Sequence, residues 1–377
     1  MRRQMKYQVI QLGCASNEAD SFGIKSCLLG HGFTISDTVE DSDVIIVMTC
    51  GFSSKQYHDS LECIQNVNRT KRADAEIWIG GCIPAINKNL AKELPFEVSL
   101  FFAPRTFEQK LEEYLQAKLD FSKIVLGDEA VESVPIRIVN GCTEHCTYCV
   151  IKRAGGKSRS KPMDQILHQI SSLDSRVKEI KLVGEEVGAY GKDIDASLLE
   201  LVQSVLLVRP DVSISFSAIH PKYFIQDFEM YVKLFHIKNI ARTLPIPVQS
   251  GSDAVLKAMN RDYSIGKVMD CVRSFLKVHP DVKISTDIMV GFPAETWEDF
   301  LLTKALVEEL PLAALDCFKY DDMKGLGDRV DESEKEKRLK IIALTFLQRY
   351  CREHGITDST AFDDFIKDHK VPLNINL

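Results

Sequence analysis

Short apolar segments rich in valine and isoleucine alternate with helical patterns along most of this chain. In the first third the apolar segments are YQVIQLG, DVIIVMT, EIWIGG and SLFFAP, and helical stretches such as 17–30 and 53–69 separate them. Continuous apolar strands between helices are typical of a parallel sheet that is covered on both faces. The sequence therefore predicts an α/β fold whose first part is an open parallel sheet.

A second series of strand patterns follows a turn-rich, acidic join near residues 127–133. The segments are PIRIVNG, EIKLVGE, VSISFSAI, TLPIPVQ, KISTDIMVGF and ALDCFKY. Six strand–helix units in a row predict a partial (βα)6 barrel. An amphipathic helix over 332–354 and a tail without a clear pattern come last. We therefore expect three parts, 1–127, 128–331 and 332–377.

Composition and charge exclude several classes of protein. The chain has 377 residues, of which 45% are hydrophobic and 27% charged, and its net charge is −7. No segment reaches the roughly 18 unbroken apolar residues of a membrane span, and the start MRRQMKYQVIQLGC lacks the apolar core of a secretory signal. We expect a cytoplasmic protein with no membrane partner, and the acidic balance gives no strong footprint for nucleic acid.

Three of the 11 cysteines stand close together at Cys142, Cys146 and Cys149, with the spacing C-x3-C-x2-C after a predicted strand. Thiolates bind cuboidal iron–sulfur clusters, normally one per iron, so three cysteines leave a fourth iron open to a small molecule. The alternative is a zinc site, which needs a fourth ligand. His145 is too near in sequence to serve comfortably, and zinc ribbons prefer paired C-x2-C halves.

A second set of cysteines shares one local context, because Cys14, Cys50 and Cys82 each end a predicted parallel strand. Ligands of open α/β sheets bind outside the carboxyl ends of the strands, so neighbouring strands bring such residues to one edge. We expect a second three-cysteine cluster there. Three unrelated core cysteines are the alternative, since cysteine is commonly buried. No role is assigned to the others, Cys27, Cys63, Cys271, Cys317 and Cys351.

The central triplet resembles the signature of the radical S-adenosylmethionine (SAM) superfamily. With the other motifs taken in order, the chain resembles the radical SAM methylthiotransferases up to about Leu339. The motifs are GCASNEADS (13–21), TC (49–50), GGC (80–82), CTEHCTYCVI (142–151) with SR (158–159), GEEVGAYG (184–191), PVQSGS (247–252) and VGFPAET (290–296).

This resemblance implies two [4Fe–4S] clusters and SAM as cofactors. It also implies a reaction in which the second set of cysteines presents a sulfur that one SAM methylates. A second SAM, cleaved at the central triplet, yields a radical that takes hydrogen from a substrate carbon, and that carbon captures the methylthio group. The six cysteines named above are the implied catalytic and metal-binding residues.

The resemblance also assigns residues to SAM. Glu185 and Glu186 would bind its amino group or ribose, although a solvated pair at a loop end is the alternative. Asp287 is a further candidate at the barrel mouth or core. Cations in the stretch 152–159 would neutralise an anionic group or form a solvated basic loop. The implied cofactor-binding residues are Tyr148, Glu185, Gln249, Ser250 and Arg159, and the other cations of the loop are Lys152, Arg153 and Lys157.

The sequence also departs from the family. Val150-Ile151-Lys152 lacks the usual proline after the third cysteine, and no pattern typical of the family's carboxyl-terminal TRAM β-barrel follows Arg338. With the acidic balance, this favours a peptide or protein substrate. The alternatives are methylthiolation of a tRNA adenosine, a radical sulfur insertion without methyl transfer, and an iron–sulfur electron carrier or sensor. A flavodoxin or ferredoxin is the expected reductant.

Overall fold

The chain folds into two α/β units in the computed structural model, which describes residues 4–126, 131–323, 330–354 and 371–376. The first unit comprises Met1–Thr143 and Cys149–Ser217, and the second comprises Glu144–Tyr148 and Ala218–Leu377. The predicted boundary between residues 127 and 128 lies outside the described residues. The division into 1–127, 128–331 and 332–377 therefore stays a prediction.

Strands and helices alternate through the first unit, as the apolar pattern predicted. Its strands are β1 (Lys6–Gln11), β2 (Thr34–Ile35), β3 (Val44–Thr49), β4 (Glu76–Gly81), β5 (Leu100–Phe101), β6 (Ser133–Asn140), β7 (Arg159–Ser160), β8 (Glu179–Gly184) and β9 (Ser213–Phe216). Its helices are α1 (Ala15–Gly30), α2 (Ser54–Thr70), α3 (Ile83–Ile86), α4 (Leu90–Glu93), α5 (Phe107–Leu115), α6 (Ile151–Gly155), α7 (Met163–Ser171) and α8 (Leu198–Val208), with a 3₁₀ turn at Val187–Ala189.

A five-stranded parallel sheet in the order β2-β1-β3-β4-β5 forms the first part of this unit. Every residue of β3 is buried, because the strand packs on both of its faces. Ile46 and Trp78 belong to the hydrophobic core on one face, and Ile45 and Ile77 belong to the core on the other. This two-sided burial explains why the strands read as unbroken apolar runs.

A four-stranded sheet in the order β7-β6-β8-β9 forms the second part of the unit. Strands β6, β8 and β9 are parallel, whereas β7 pairs with β6 in the antiparallel direction. β7 was not predicted, because two residues are too few for a strand pattern. A capping box between Ser197 and Glu200 fixes the start of α8.

The second unit is built on a parallel sheet in the order β10-β11-β12-β13. Its strands are β10 (Thr243–Pro245), β11 (Lys283–Val290), β12 (Leu312–Lys319) and β13 (Leu373–Asn376). Its helices are α9 (Pro221–Gln226), α10 (Phe228–Phe235), α11 (Asp253–Ala258), α12 (Ile265–Val278), α13 (Trp297–Glu309) and α14 (Glu332–His354).

The six strands that the sequence predicted for the second series are all present, three in each four-stranded sheet. Helices α8, α13 and α14 have the predicted bounds, whereas α1 begins two residues before the predicted start. The tail was expected to show no clear fold, yet its residues 373–376 form β13 beside β12. In the described part of the chain, no helix is both long and apolar enough to cross a bilayer.

Candidate active site

Cys14, Cys50 and Cys82 lie at one edge of the five-stranded sheet. Cys50 and Cys82 follow β3 and β4 directly, and Cys14 follows β1 after two residues. These three strands are parallel neighbours with β3 in the middle, so their carboxyl ends meet at the same edge. The structure thus brings together the three cysteines of the second set, and their role as cluster ligands stays a prediction.

The loops that carry these cysteines are in close contact. Gly13 has φ +102°, and a Cβ added there would lie 2.9 Å from both Cβ and Sγ of Cys50. Any side chain at this position would therefore collide with Cys50 in a strained backbone conformation. The backbone N–H of Cys82 donates to the carbonyl of Thr49 at 3.1 Å, which joins the second and third loops.

Asn17 ties the strand ends together from the first turn of α1. Its Nδ2 donates to the carbonyl oxygens of Met48 and Thr49, each at 3.2 Å, and also to that of Leu12. Its Oδ1 is buried and has no hydrogen-bond partner among the described residues. A buried acceptor left unsatisfied costs about 1–3 kcal/mol, so a bound group that donates a hydrogen bond at this edge would stabilise the site.

Burial makes two of the three thiols resist ionisation. It raises the pKa of Cys50 to about 11, although the backbone N–H of Phe52 lowers it. It also raises the pKa of Cys82, and the nearby Cys14, Cys50 and Glu185 add to that shift. Because the thiolate is the form that ligates a metal, uptake of iron here must release protons.

The loop that carries Cys142 is folded tightly against the turn at residues 155–157. Gly141 has φ +77°, and an added Cβ would lie 2.6 Å from the carbonyl oxygens of Gly155, Gly156 and Lys157. The N–H of Cys142 donates to the carbonyl of Gly156 at 2.9 Å. Only glycine fits at position 141, so the sequence Gly-Cys is a geometric requirement of this loop.

The side chain of Glu185 is only 8% exposed and Glu186 is buried, so the alternative of a solvated pair is wrong. Glu185 accepts from Arg137 Nη1 at 2.8 Å through Oε1 and from the N–H of Gly141 at 2.7 Å through Oε2. Burial raises the pKa of Glu185, but these two partners outweigh it and lower the pKa overall. Glu186 accepts from the N–H of Gly188 at 3.1 Å. Binding of SAM by Glu185 stays a prediction, and its evident task is to hold Gly141.

In the second unit, the hydroxyl of Tyr148 accepts a hydrogen bond from Arg261 Nη1 at 2.8 Å. Arg261 also donates to Tyr263 at 2.6 Å and to the carbonyl of Pro247 at 2.8 Å. The Tyr148 ring packs against an apolar cluster that includes Met259. Its orientation is therefore fixed by the protein, whereas its contact with adenine stays a prediction.

Gln249 has the features of a residue held ready for a ligand. It is buried, has φ +67°, and its Oε1 has no hydrogen-bond partner among the described residues. A strained backbone that carries a buried side chain with an unsatisfied polar atom is common at ligand sites. Ser250 is buried too, but its hydroxyl lies 3.2 Å from that of Thr303 and accepts from the N–H of Ser252. The hydroxyl therefore already has partners within the protein.

Asp287 on β11 is half-buried beside Asp316 of β12. Burial and the Asp316 carboxylate raise the pKa of Asp287 to about 7, although Arg261 lowers it. Unlike an ordinary carboxylate, this group therefore titrates near neutral pH. The sequence offered Asp287 only as a candidate, and its role stays a prediction.

The predicted cations at residues 152–159 form an exposed basic turn. Arg153, Lys157 and Arg159 are exposed, whereas Lys152 is partly buried and donates to the carbonyl of Thr143 at 3.3 Å. The exposed Arg105 joins the turn by donating to the carbonyl of Lys157 at 3.1 Å. The turn is attached to the Cys142 loop through Gly156, so its positive charge lies next to that loop.

Models of two protein families match the chain. The model of the radical SAM superfamily matches residues 136–307, and that of the uncharacterized protein family UPF0004 matches residues 6–103. The tRNA-2-methylthio-N(6)-dimethylallyladenosine synthase of Fervidobacterium nodosum is 31% identical over 90% of this chain and 82% of the relative. The chain belongs to the radical SAM methylthiotransferase family. The ribosomal protein uS12 methylthiotransferase RimO of Carboxydothermus hydrogenoformans is 32% identical over 85% of this chain and 76% of the relative.

Solved structures share the fold of this family member. The cobalamin-dependent SAM radical enzyme OxsB superposes with a TM-score of 0.56 at 12% identity, over 94% of this chain and 62% of that chain. The radical SAM methyltransferase TsrM of Kitasatospora setae gives a TM-score of 0.59 at 12% identity, over 83% of this chain and 72% of that chain. At this level of identity the likeness establishes a radical SAM-type fold and nothing about activity.

The donor set suits the cofactors of the family, SAM and two [4Fe–4S] clusters. Each predicted set supplies three thiolates, which are the ligands that such clusters take. Among the described residues, no three histidine, cysteine or acidic side chains are gathered around a position for a single metal ion. The orphaned Oε1 of Gln249 belongs to the predicted SAM-binding region, and SAM carries amino and hydroxyl groups that donate hydrogen bonds. The methylthiotransferase thus has residues that fit both kinds of cofactor.

The sequence missed Arg137, Asp20 and Arg261 as parts of the site. Arg137 was visible as a lone cation inside the apolar strand PIRIVNG, where burial demands an anionic partner. Nothing in the sequence identified Asp20 as that partner, because 117 residues separate the two. Arg261 gave no local signal, since it follows a helix that looks like any surface helix.

Proposed function

We propose that this family member attaches a methylthio group to an unactivated carbon. The observation that carries the proposal is the meeting of Cys14, Cys50 and Cys82 at one edge of a parallel sheet, in a chain that also holds the C-x3-C-x2-C triplet. An electron carrier needs no open iron, and its clusters are normally held by four cysteines each. Two sets of three thiolates leave two reactive positions, and a reaction that joins sulfur to carbon requires both.

In this proposal each residue set has its own task. Cys142, Cys146 and Cys149 would hold the cluster at which SAM is cleaved, and Cys14, Cys50 and Cys82 would hold the cluster that carries the sulfur. The clusters and SAM supply the electron transfer, the radical and the methyl group. The chain supplies deprotonated thiols and fixed loops, and it orients Tyr148 and Gln249 for SAM. A flavodoxin or ferredoxin in the cytoplasm would supply the electrons.

An RNA is the substrate that the surface favours. The basic turn carries Arg153, Lys157 and Arg159, with Arg105 beside it, and these exposed cations adjoin the Cys142 loop. Phosphate backbones are bound mainly through such cations. The acidic balance of the whole chain had favoured a peptide. The basic turn outweighs it, because a local patch of positive charge suffices to bind RNA.

A peptide or protein is the second candidate substrate. The relative that modifies ribosomal protein uS12 is 32% identical to this chain, as close as the tRNA-modifying one at 31%. Sequence identity alone therefore does not choose between the two substrate classes.

The deciding experiment gives the anaerobically reconstituted enzyme methyl-labelled SAM, a reductant, and separate pools of tRNA and of cell-derived protein. We expect label in a tRNA nucleoside with the mass increment of a methylthio group. Label in protein alone would select the second candidate. Absence of SAM cleavage in the presence of reductant would overturn the enzyme proposal and favour a carrier or sensor.

The basic turn gives a matched test of RNA binding. Replacing Arg153, Lys157 and Arg159 together by glutamine should weaken tRNA affinity by about ten- to a hundredfold at low salt and flatten its salt dependence, because three phosphate contacts are lost. Removal of three exposed lysines elsewhere in the first unit (Lys92, Lys118 and Lys123 to glutamine) serves as the control. Equal affinity losses in the two triple variants would contradict an RNA substrate bound at this turn.

A further inference from the structure

Arg137 is a buried cation in the middle of β6, with only 8% of its side chain exposed. It donates to both oxygens of Asp20, from Nε at 2.8 Å and from Nη2 at 2.8 Å. It also donates to the carbonyl of Ser16 at 2.7 Å and to Glu185 at 2.8 Å. One guanidinium therefore donates hydrogen bonds to two carboxylates and one main-chain oxygen.

Each partner of Arg137 leads to a cysteine of one of the two predicted clusters. Ser16 and Asp20 lie in the first turns of α1, and Cys14 occupies the N-cap position of this helix. Glu185 follows β8, and its second oxygen binds the N–H of Gly141, the residue directly before Cys142. Five hydrogen bonds thus connect the start of the Cys14 helix to the start of the Cys142 loop.

A bridge of this kind fixes geometry better than apolar packing would. The two-pronged pairing of a guanidinium with a carboxylate sets both distance and angle. Buried ionic groups are poor sources of stability, since well-packed apolar residues replace them without loss in other proteins. From Val134 to Val139 strand β6 is otherwise apolar, so apolar residues in place of Arg137, Asp20 and Glu185 together would be the simpler way to stabilise it. The arginine is better explained by the orientation that it imposes.

We propose that Arg137 is a positioning residue that holds the Cys14 end of α1 in register with the Cys142 loop. This inference rests on the proposed function, in which the two cysteine sets hold two clusters. The bridge then sets where the sulfur-presenting group lies relative to the SAM-cleaving group. Loss of the bridge should uncouple the two SAM reactions from each other without abolishing SAM cleavage.

The two reactions can be followed without any substrate. Transfer of the methyl group of SAM to a nucleophilic sulfur at Cys14, Cys50 and Cys82 releases S-adenosylhomocysteine. Cleavage of SAM by one electron from the reductant releases methionine and a 5′-deoxyadenosyl radical, which ends as 5′-deoxyadenosine after taking a hydrogen atom. The ratio of S-adenosylhomocysteine to 5′-deoxyadenosine therefore measures how well the two groups are positioned.

The test compares Arg137→Met, Arg137→Lys and the wild type, each as the reconstituted full chain. We expect Arg137→Met to lower the ratio at least about tenfold, the size of effect that corresponds to a misplaced reacting group, because formation of S-adenosylhomocysteine falls much further than formation of 5′-deoxyadenosine. Arg137→Lys keeps the charge but loses the two-pronged pairing, so its ratio should fall between the two. Iron and sulfide content show that both sites are filled.

Arg338→Met is the matched control. Arg338 and Glu295 form a similarly buried pair at 2.7 Å, with side-chain exposures of 7% and 0%. In the described part of the chain, their other side-chain hydrogen bonds go to Gly291, Thr296 and Glu334 and not to a cysteine loop. This variant should lose stability and keep the wild-type ratio. An equal fall of the ratio in Arg338→Met and Arg137→Met would overturn the proposal, since it would reflect stability alone.

Hydrogen exchange gives a readout that does not depend on turnover. Arg137→Met should speed the exchange of backbone amides both in residues 15–20 and at residues 141–142, whereas Arg338→Met should leave both segments unchanged. Faster exchange in only one segment, or an unchanged ratio in fully loaded enzyme, would refute the bridge. If instead the wild type loads one cluster or cleaves no SAM, the proposed function fails, and linked exchange of the two segments still decides the role of Arg137.

Discussion

At the scale of single residues, the unusual groups are those that burial forces into partnerships. Arg137, Asp20 and Glu185 share one buried ion network. Asp287 differs from them, because its neighbour Asp316 carries the same charge and Arg261 offsets this only in part. Burial raises the pKa of Asp20 to about 6, although Arg137 lowers it. Such pKa shifts follow from the position of a carboxyl in the fold, because the same residue on the surface would keep its ordinary pKa.

Asp287→Asn should make the protein more stable at pH 8, and the gain should shrink as the pH falls from about 7 towards 4. Burial and Asp316 raise the pKa of Asp287 from 3.8 to about 7, so in this window the folded chain holds a proton that the unfolded chain releases. Stability from this group therefore rises as pH falls. Denaturant unfolding of both proteins across this range measures the effect.

Asp281→Asn is the control with the opposite sign. The hydrogen bond from Arg242 lowers the pKa of Asp281, so its contribution to stability is present at neutral pH and is lost on acidification. This variant should be slightly less stable than the wild type at pH 7 and equal to it in acid. The same pH trend in both variants would show that Asp287 does not carry a raised pKa.

At the scale of elements, strand ends and helix starts place the cysteines. Helix α2 starts at Ser54 under the cap of Ser53, whose side chain accepts from the N–H of Gln56 at 3.2 Å. One turn further on, Ser60 is fully buried against the Cys50 backbone. The helix thus supports the loop at the end of β3, which links helix packing to the position of one thiol.

Ser60→Ala should destabilise the chain by about 1–3 kcal/mol and expose Cys50. The Ser60 hydroxyl accepts from the N–H of Cys50 at 3.1 Å and donates to its carbonyl at 3.2 Å, so the change leaves two buried groups unpaired. Site-resolved alkylation of the metal-free chain should show faster reaction at Cys50. Ser264→Ala, which removes the cap of α12 at a cost of about 1 kcal/mol, should leave that rate unchanged, and equal rates in the two variants would refute the role of Ser60.

At the scale of the whole molecule, the two sets of cysteines are independent in sequence, although the proposed function gives them tasks in one reaction. One set comes from three separate strand ends, whereas the other lies within eight residues of sequence from Cys142 to Cys149. The first set depends on the five-stranded sheet, and the second depends on the loop after β6. Their loss should therefore have separable effects.

Replacing Cys14, Cys50 and Cys82 together by alanine should halve the iron content and abolish formation of the carbon–sulfur bond, while cleavage of SAM continues. The reason is that the remaining triplet can still bind a cluster with an open iron. Iron analysis, 5′-deoxyadenosine release and product mass are the measurements. Alanine at Cys63, Cys271 and Cys351, which are assigned no role, is the control. Equal loss of both activities with the fold intact would argue against separate tasks.

The sequence by itself determined the α/β class, the family and the strands other than β2, β7 and β13, because apolar periodicity and cysteine spacing are local properties of the chain. It also determined that Cys14, Cys50 and Cys82 would share an edge, since parallel strands align their carboxyl ends. Only the tertiary structure decided that Glu185 is buried against Arg137, that Asp20 completes the pair, and that the tail returns as β13. These contacts join residues far apart in sequence, and no local pattern specifies which distant partner satisfies a buried charge or a free strand edge.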